Sequence, residues 1–259
     1  MSYPLIVLQL WLLTLGFSSP SHLAAPSEPC QKSELFSARG VKAWSVTPGP
    51  SNFFYESGLA IDADGAYRAY HPEDRLGLDS LNHAGHEGNW WALVTDNEKR
   101  SGQPVVQSPS DPAPGFYVST TALYDESNPN PRDPRRYVDA ESIAYVVLHP
   151  KALKFARLGD FAVVINLRNG KLSGAIVADE SASNLPVGEG SIALARALDI
   201  NASARTGGQD DSVIYLIFPN SGNGRPRALK EITASANQLF TAWGGIDRLN
   251  ACVVHSSPK

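Results

Sequence analysis

The stretch AIVADESASNLPVGEGSIALARAL, residues 175–198, decides both the fold and the search for a functional site. Its first residues form a short apolar run that predicts a buried strand ending at Asp179. A polar loop follows, and Glu189 then stands between two glycines, before a segment with helical periodicity. A loop of this length can fold back, which would bring both carboxyl groups to one cleft. The apolar positions that indicate the helix are Ile192, Leu194, Ala195 and Leu198.

Strand signals dominate the chain on both sides of this stretch. Leu59 and Ile61 predict one strand, and we expect Tyr67 and Tyr70 to lie on its return strand. Further β-rich runs occur at 41–46, 143–148, 161–167, 174–178 and 213–218.

Turn and helix signals complete the outline. Asn169-Gly170 predicts a hairpin between two of the β-rich runs, and 228–245 predicts a helix that ends at Gly244-Gly245. Strands and helices do not alternate regularly, which argues against a doubly wound sheet. The sequence therefore predicts an α+β fold that is mostly β, with a few helices and long polar loops.

Asp179 and Glu189 are candidate catalytic residues, because hydrolysis of a glycosidic bond usually needs two carboxyl groups that flank it. A structural interpretation also fits both residues: Asp179 would start a turn, and Glu189 would complement a helix dipole. Asp62 and Asp64, in the sequence Asp-Ala-Asp-Gly, are typical of a turn, and no later Glu completes a calcium loop. We therefore predict no metal site.

Flat aromatic side chains are the second requirement of a polysaccharide cleft. Four residues are candidates for this role, although each also suits a hydrophobic core: Tyr70, Trp90, Trp91 and Tyr117.

Residues 1–25 are typical of a signal peptide, although the segment before the apolar run has no Lys or Arg, which leaves an uncleaved anchor as the alternative. The remainder, 26–259, has the length of one domain. We expect a secreted, extracellular monomer without stable membrane association once the leader is cleaved. The formal net charge of −4 argues against a nucleic-acid partner.

Cys30 and Cys252 are the two cysteines of the chain and lie near its two ends. In an oxidising compartment they can form a disulfide that ties the ends together, and two free thiols are the alternative.

Several segments together resemble the fungal-type chitosanases of glycoside hydrolase family 75. The similarity runs through residues 53–251 and includes, in order, FFYESGLAIDADGAYRAYHP, GNWWAL, PGFYVSTTALYD, RYVDAESIAYVVL, LGDFAVVINLRNG, AIVADES, GEGSIALARAL, IFPNSGN and LFTAWGG. The sequence ESAS after Asp179 departs from the family pattern and places Glu180 beside it.

The resemblance implies an endo-acting, inverting hydrolase of the β-1,4-glucosamine linkages of chitosan that needs no cofactor. It implies Asp179 and Glu189 as the catalytic pair. In such an enzyme we expect acidic residues such as Glu56, Asp62 or Asp64 to bind the ammonium groups of the substrate. The order of strand, Asp179, loop and helix in 174–198 is similar to that of a six-stranded barrel of the double-psi kind. A non-catalytic polysaccharide-binding module and a hydrolase of another cell-wall glycan are the alternatives.

Overall fold

The computed structural model describes residues 30–49 and 51–253. The predicted leader, 1–25, lies outside these residues. Three α-helices are present in the described part: α1 (Ile192–Ala197), α2 (Leu229–Trp243) and α3 (Gly245–Cys252). The strands are β1 (Gln31–Ala38), β2 (Val41–Thr47), β3 (Phe53–Asp62), β4 (Gly85–His86), β5 (Asn89–Trp90), β6 (Tyr145–Leu148), β7 (Phe161–Asn166), β8 (Leu172–Glu180), β9 (Glu189–Ser191) and β10 (Gln209–Phe218).

Six of the strands close into a barrel in the order β3, β10, β7, β8, β6 and β9, because β9 pairs with β3 as well as with β6. The pairs β3–β9 and β6–β8 are parallel, and the other four are antiparallel. Closure provides each barrel strand with a neighbour on both sides. The prediction of a mostly β, α+β fold around a closed six-stranded barrel is confirmed.

The barrel is filled by strands whose sequences are almost continuously apolar. All six residues of β7 are buried, and so are the last six of β10. Strands of this kind are covered on both faces, and here α2 lies over β7 and β8. Gly174 allows the close approach, because a Cβ atom there would lie 2.8 Å from the Cβ of Ala236.

A hairpin of β1 and β2 extends the sheet beyond β3. A disulfide joins Cys30, just before β1, to Cys252 at the end of α3, so the predicted pairing is confirmed. The ammonium group of Lys32 donates a hydrogen bond of 3.1 Å to the carbonyl oxygen of Cys252. The two ends of the described chain are therefore fastened to each other outside the barrel.

The predicted return strand at Tyr67 and Tyr70 is wrong. Successive tight turns occupy this segment, with hydrogen bonds from Ala66 N to Ala63 O and from Ala69 N to Ala66 O. The hairpin at Asn169-Gly170 is confirmed as the turn between β7 and β8. Among the described residues, no helix is both long enough and apolar enough to cross a membrane.

Candidate active site

Asp179 lies near the end of β8, where the strand carries an irregularity. The register between β6 and β8 moves from Val146–Val177 to Val147–Asp179, so β8 contains one extra residue, Ala178. A one-residue bulge reverses the side to which the following side chain points. Val177 is fully buried, whereas Asp179 is turned to the outer face of the barrel and is half-buried.

Glu189 is the first residue of β9. It is opposite Val147 of β6 in an antiparallel pairing and opposite Ala60 of β3 in a parallel one. Ala60 is exposed and Glu189 is half-buried, whereas Val147 is only 5 % exposed, so other parts of the chain partly cover the face that carries these residues.

The position of Glu189 corrects one sequence-based expectation. Glu189 is a strand residue and is not part of the first helical turn. α1 starts only at Ile192, after Ser191, whose hydroxyl oxygen caps the helix by accepting the N–H of Leu194 at 3.0 Å. The helix dipole therefore does not determine the ionisation of Glu189.

Val147 is the common neighbour of the two candidate catalytic residues. Asp179 is opposite Val147 on one side and Glu189 is opposite it on the other. Residues in register on adjacent strands point to the same face, and adjacent strands lie about 4.8 Å apart. The two backbone positions are therefore separated by about 9–10 Å, with both side chains on the outer face.

Asp62 and Asp64 lie beside this pair. Asp62 is two residues from Ala60 on β3, which places it on the same outer face. The backbone N–H of Asp64 donates to Oδ1 of Asp62 at 2.8 Å, which holds the turn after β3. One carboxylate oxygen from each of Asp62, Asp64 and Asp179 lies within 4.8 Å of the other two. Among the described residues, this cluster has carboxylates close enough together to hold a cation.

Two buried tyrosines donate hydrogen bonds to Asp64, one member of this acidic cluster. The hydroxyl of Tyr70 donates to Oδ1 of Asp64 at 2.7 Å, and the hydroxyl of Tyr145 donates to the carbonyl oxygen of Asp64 at 2.9 Å. Tyr70 was predicted to bind substrate, but its side chain is only 2 % exposed. It positions Asp64 instead of presenting a flat face to a polymer.

Burial among like charges raises the pKa values of these carboxyl groups. Desolvation raises the pKa of Asp62 to about 6, and hydrogen bonds from Asp64 N–H and the Tyr145 hydroxyl oppose this. Burial, together with the negative charges of Asp62 and Asp179, raises the pKa of Asp64 well above its usual range. The group therefore retains protons at a pH at which exposed carboxyl groups are ionised.

Asp179 and Glu189 differ in the hydrogen bonds that they accept. Burial and the charge of Asp62 raise the pKa of Asp179, while the N–H groups of Glu180 and Ala122, at 2.8 and 3.2 Å from Oδ1, oppose the rise. Burial and the charges of Asp62 and Asp179 raise the pKa of Glu189. None of the described residues donates a hydrogen bond to the Glu189 carboxyl, so nothing comparable stabilises its ionised form.

Comparison with known families gives a match over the segment that carries this pair. Residues 119–245 match the family model described as fungal chitosanase of glycosyl hydrolase group 75. We refer to residues 119–245 as the chitosanase segment, after the family that they match. A search of curated proteins found no match. The resemblance seen in the sequence is confirmed for the segment, which includes β6 to β10 and both Asp179 and Glu189.

Asp62 and Asp64 lie outside the chitosanase segment in the sequence. The pairing of β3 with β9 places them beside it in the structure. Asp79, which sequence reasoning missed, also lies outside this segment. Asp79 is 4 % exposed, its two carboxylate oxygens lie 2.9 Å from Nδ1 of His83, and its charge contributes to the raised pKa of Glu189. Only the spacing of Asp79 and His83, four residues apart, hints at this pair in the sequence.

The remaining aromatic candidates precede the chitosanase segment in the chain, and Trp90 lies on β5. Trp91 is 46 % exposed, and its indole N–H donates to the carbonyl oxygen of His83 at 2.8 Å, which connects it to the Asp79 pair. Trp90 and Tyr117 are half-buried and pack against the core.

Glu56, a candidate partner of substrate ammonium groups, is exposed on β3 and is opposite Ile214 of β10.

Proposed function

We propose that this protein hydrolyses the β-1,4-glucosamine linkages of chitosan by an endo-acting, inverting mechanism. The observation that carries the proposal is the placement of Asp179 and Glu189 on opposite sides of Val147, within the segment that matches the chitosanase family. Inverting glycosidases hold their carboxyl groups about 6.5–9.5 Å apart, which leaves room for a water molecule. Backbone positions that are two strand spacings apart are compatible with carboxyl groups at that distance.

Glu189 is the proton donor in this proposal. A general acid must keep its proton until the bond breaks, and the charges of Asp62, Asp179 and Asp79 all favour the protonated form of Glu189.

Asp179 is the general base. The N–H groups of Ala122 and Glu180 oppose the rise of its pKa, which burial and the charge of Asp62 cause, whereas Glu189 accepts no such bonds from the described residues. Asp179 is therefore the better suited of the two to accept a proton from water. Water attacks the anomeric carbon from the face opposite the leaving group. Asp179 accepts the proton of the water, and Glu189 protonates the departing glycosidic oxygen.

Asp62 and Asp64 supply the preference for a cationic sugar. A glucosamine unit carries an ammonium group, which offers three hydrogen-bond donors and a positive charge. Binding of that charge beside Asp62 and Asp64 offsets the repulsion among the buried carboxylates. An N-acetylated unit lacks the charge, so we expect chitin to be a poor substrate.

The setting of the reaction is also part of the proposal. Residues 26–259 act as one catalytic domain, secreted as a monomer after cleavage of residues 1–25. The disulfide between Cys30 and Cys252 supports an oxidising compartment.

The test is release of reducing ends from well-deacetylated chitosan by purified 26–259, with chitin and carboxymethyl-cellulose as comparison polymers. We expect cleavage of chitosan by the wild type and a loss of at least about 100-fold in Glu189→Gln. Glu180→Gln is the matched control, because Glu180 is an exposed carboxylate next to Asp179. It should retain most of the activity.

Two other results would contradict the proposal. Binding of chitosan without cleavage, by both wild type and Glu189→Gln, would indicate a polysaccharide-binding module. Cleavage of carboxymethyl-cellulose or another cell-wall glycan in preference to chitosan would leave the reaction type intact but assign a different substrate.

A further inference from the structure

The loop between the two candidate catalytic residues, residues 181–188, is exposed over most of its length. The side chains from Ala182 to Pro186 are all exposed. The far end of the loop is fastened to β3, since Ala60 N donates to Gly188 O at 2.9 Å and the Ser57 hydroxyl donates to Val187 O. The first half has fewer attachments.

His149 provides the side-chain attachment of that first half. It directly follows β6, and its ring is 5 % exposed. Nδ1 accepts the N–H of Lys151 at 3.1 Å, so Nε2 carries the proton and donates it to Ser183 O at 3.2 Å. Among the described residues, no other side chain from outside the loop bonds to residues 181–184.

The attachment is important because both carboxylates lie at strand ends. Asp179 follows the bulge at Ala178, and Glu189 begins a strand of three residues. Strand ends open more readily than strand centres, and a displacement of about 1 Å of a catalytic group can cost roughly 100-fold in rate.

We propose that His149 is a positioning residue, which holds the 181–188 loop through Ser183 and thereby fixes Asp179 and Glu189 relative to each other. This inference rests on the proposed catalytic roles of that pair. His149 acts from behind the loop and does not touch the substrate. A tether of this kind affects turnover more than binding of the polymer.

The test compares His149→Phe, which keeps a ring without the donor, with His149→Gln, whose amide nitrogen can reach the position of Nε2. We expect His149→Phe to lower kcat by about tenfold or more with KM changed by less than about threefold. His149→Gln should recover a substantial part of kcat. Ser183→Ala is the matched control and should be silent, because the accepting group is the backbone carbonyl of that residue.

Hydrogen exchange of residues 181–188 provides a readout that does not need activity. Exchange should accelerate in His149→Phe, return towards the wild-type rate in His149→Gln, and stay at that rate in Ser183→Ala. Unchanged exchange in His149→Phe would show that His149 does not hold the loop. Unchanged kcat despite faster exchange would show that holding the loop does not matter for catalysis. If the wild type does not cleave chitosan, the proposed function fails while the exchange data still decide on the tether.

A separate observation concerns Asn201, which is exposed and begins the sequence Asn201-Ala202-Ser203 in the segment after α1. This is the one Asn-X-Ser/Thr sequence in the chain, and such a sequence on the surface of a secreted protein is an acceptor for N-linked glycan. The N–H of Ser203 donates to Oδ1 of Asn201 at 3.2 Å. No described residue bonds to the side-chain nitrogen of Asn201, which leaves that atom accessible.

The geometry points to Asn201 as a glycosylation site when the chain passes through a eukaryotic secretory pathway. The side-chain nitrogen would attack the anomeric carbon of a lipid-diphosphate-linked oligosaccharide. A C–N bond forms, the C–O bond to the diphosphate breaks, and the amide proton leaves with the diphosphate product.

The test is secretion of 26–259 from yeast behind the leader of the host, followed by peptide mass spectrometry before and after endoglycosidase treatment. We expect a glycan on the peptide that contains Asn201, its loss in Asn201→Gln and Ser203→Ala, and its retention in Thr206→Ala, which leaves the acceptor sequence intact. An unmodified Asn201 peptide in the secreted wild type would overturn this inference.

Discussion

Asp179 and Glu189 are both in register with the same residue, Val147, one from each side of β6. They reach this relation from strands of opposite direction, since β8 runs parallel to β6 and β9 runs antiparallel to it. The bulge at Ala178 places the Asp179 side chain on the same face as that of Glu189. Without the extra residue, the Asp179 side chain would point into the barrel. The reaction proposed above depends on this geometry.

The roles of the two carboxyl groups can be separated with an activated substrate. An aryl glycoside with a good leaving group does not need a general acid. Glu189→Ala should therefore lose chitosan cleavage but retain much of its activity on such a substrate, whereas Asp179→Ala should lose both. Azide should restore turnover to Asp179→Ala by taking the place of the activated water. The opposite pattern would exchange the two roles.

The pH dependence of stability follows from the raised pKa of Asp62. Its folded-state pKa is about 6, against an ordinary value of 3.8, so the folded protein holds more protons than the unfolded chain between these values. Stability should therefore fall as the pH rises through this window. Asp62→Asn should be about 3 kcal/mol more stable than the wild type at pH 7 and similar to it at pH 3. Urea denaturation at both pH values measures this, and an equal effect at both would contradict it.

The same charge should set the alkaline limit of activity. Asp62 contributes to the raised pKa of Glu189, so removal of its charge should lower that pKa. The alkaline limb of the kcat/KM profile of Asp62→Asn should then move to lower pH. A uniform loss of activity with an unmoved limb would indicate that the charge of Asp62 does not control the pKa of Glu189.

Gly188 should tolerate no side chain. Its φ is +102°, and a Cβ atom would lie 2.4 Å from the carbonyl oxygen of Gly58. Gly188→Ala should cost about 2 kcal/mol or more and lower kcat, because Glu189 is the next residue. Gly170→Ala is the matched control, since Gly170 also has a positive φ but nothing lies within 4 Å of its Cβ position. Similar losses in the two variants would exclude the clash as the cause.

The disulfide should contribute stability without affecting the chemistry. Cys30 and Cys252 are separated by 222 residues, and closing so long a loop stabilises by about 5 kcal/mol in the chain-entropy model. A Cys30→Ser, Cys252→Ser double variant should show a clearly lower Tm with kcat near that of the wild type. A large loss of kcat at a temperature well below Tm would contradict the separation of the disulfide from the site.

Local sequence patterns were sufficient for much of the barrel. The apolar runs of β7 and β10 and the Asn169-Gly170 turn predicted strands and a hairpin that are present. Asp179 and Glu189 could also be proposed from the sequence, because each stands at a change of pattern in one short segment.

Other features depended on contacts that no local pattern encodes. β9 exists only because Glu189–Ser191 fits between β3 and β6, and in the sequence these residues look like the start of a helix. The association of Asp62 with Glu189 results from barrel closure between distant segments. Tyr70 carries strand propensity, but turns stabilised by Ala63 and Ala66 carbonyls override it.

The most direct test of the central claim is the configuration of the first product, followed by proton NMR while the wild-type protein cleaves deacetylated chitosan. In the proposed mechanism, a water molecule between the carboxyl groups of Asp179 and Glu189 attacks directly and inverts the anomeric carbon. We predict that the α-anomer of the new reducing end appears first and that the β-anomer follows by mutarotation. A β-anomer that appears first would contradict the account, because it would require a covalent intermediate and a closer pair of carboxyl groups.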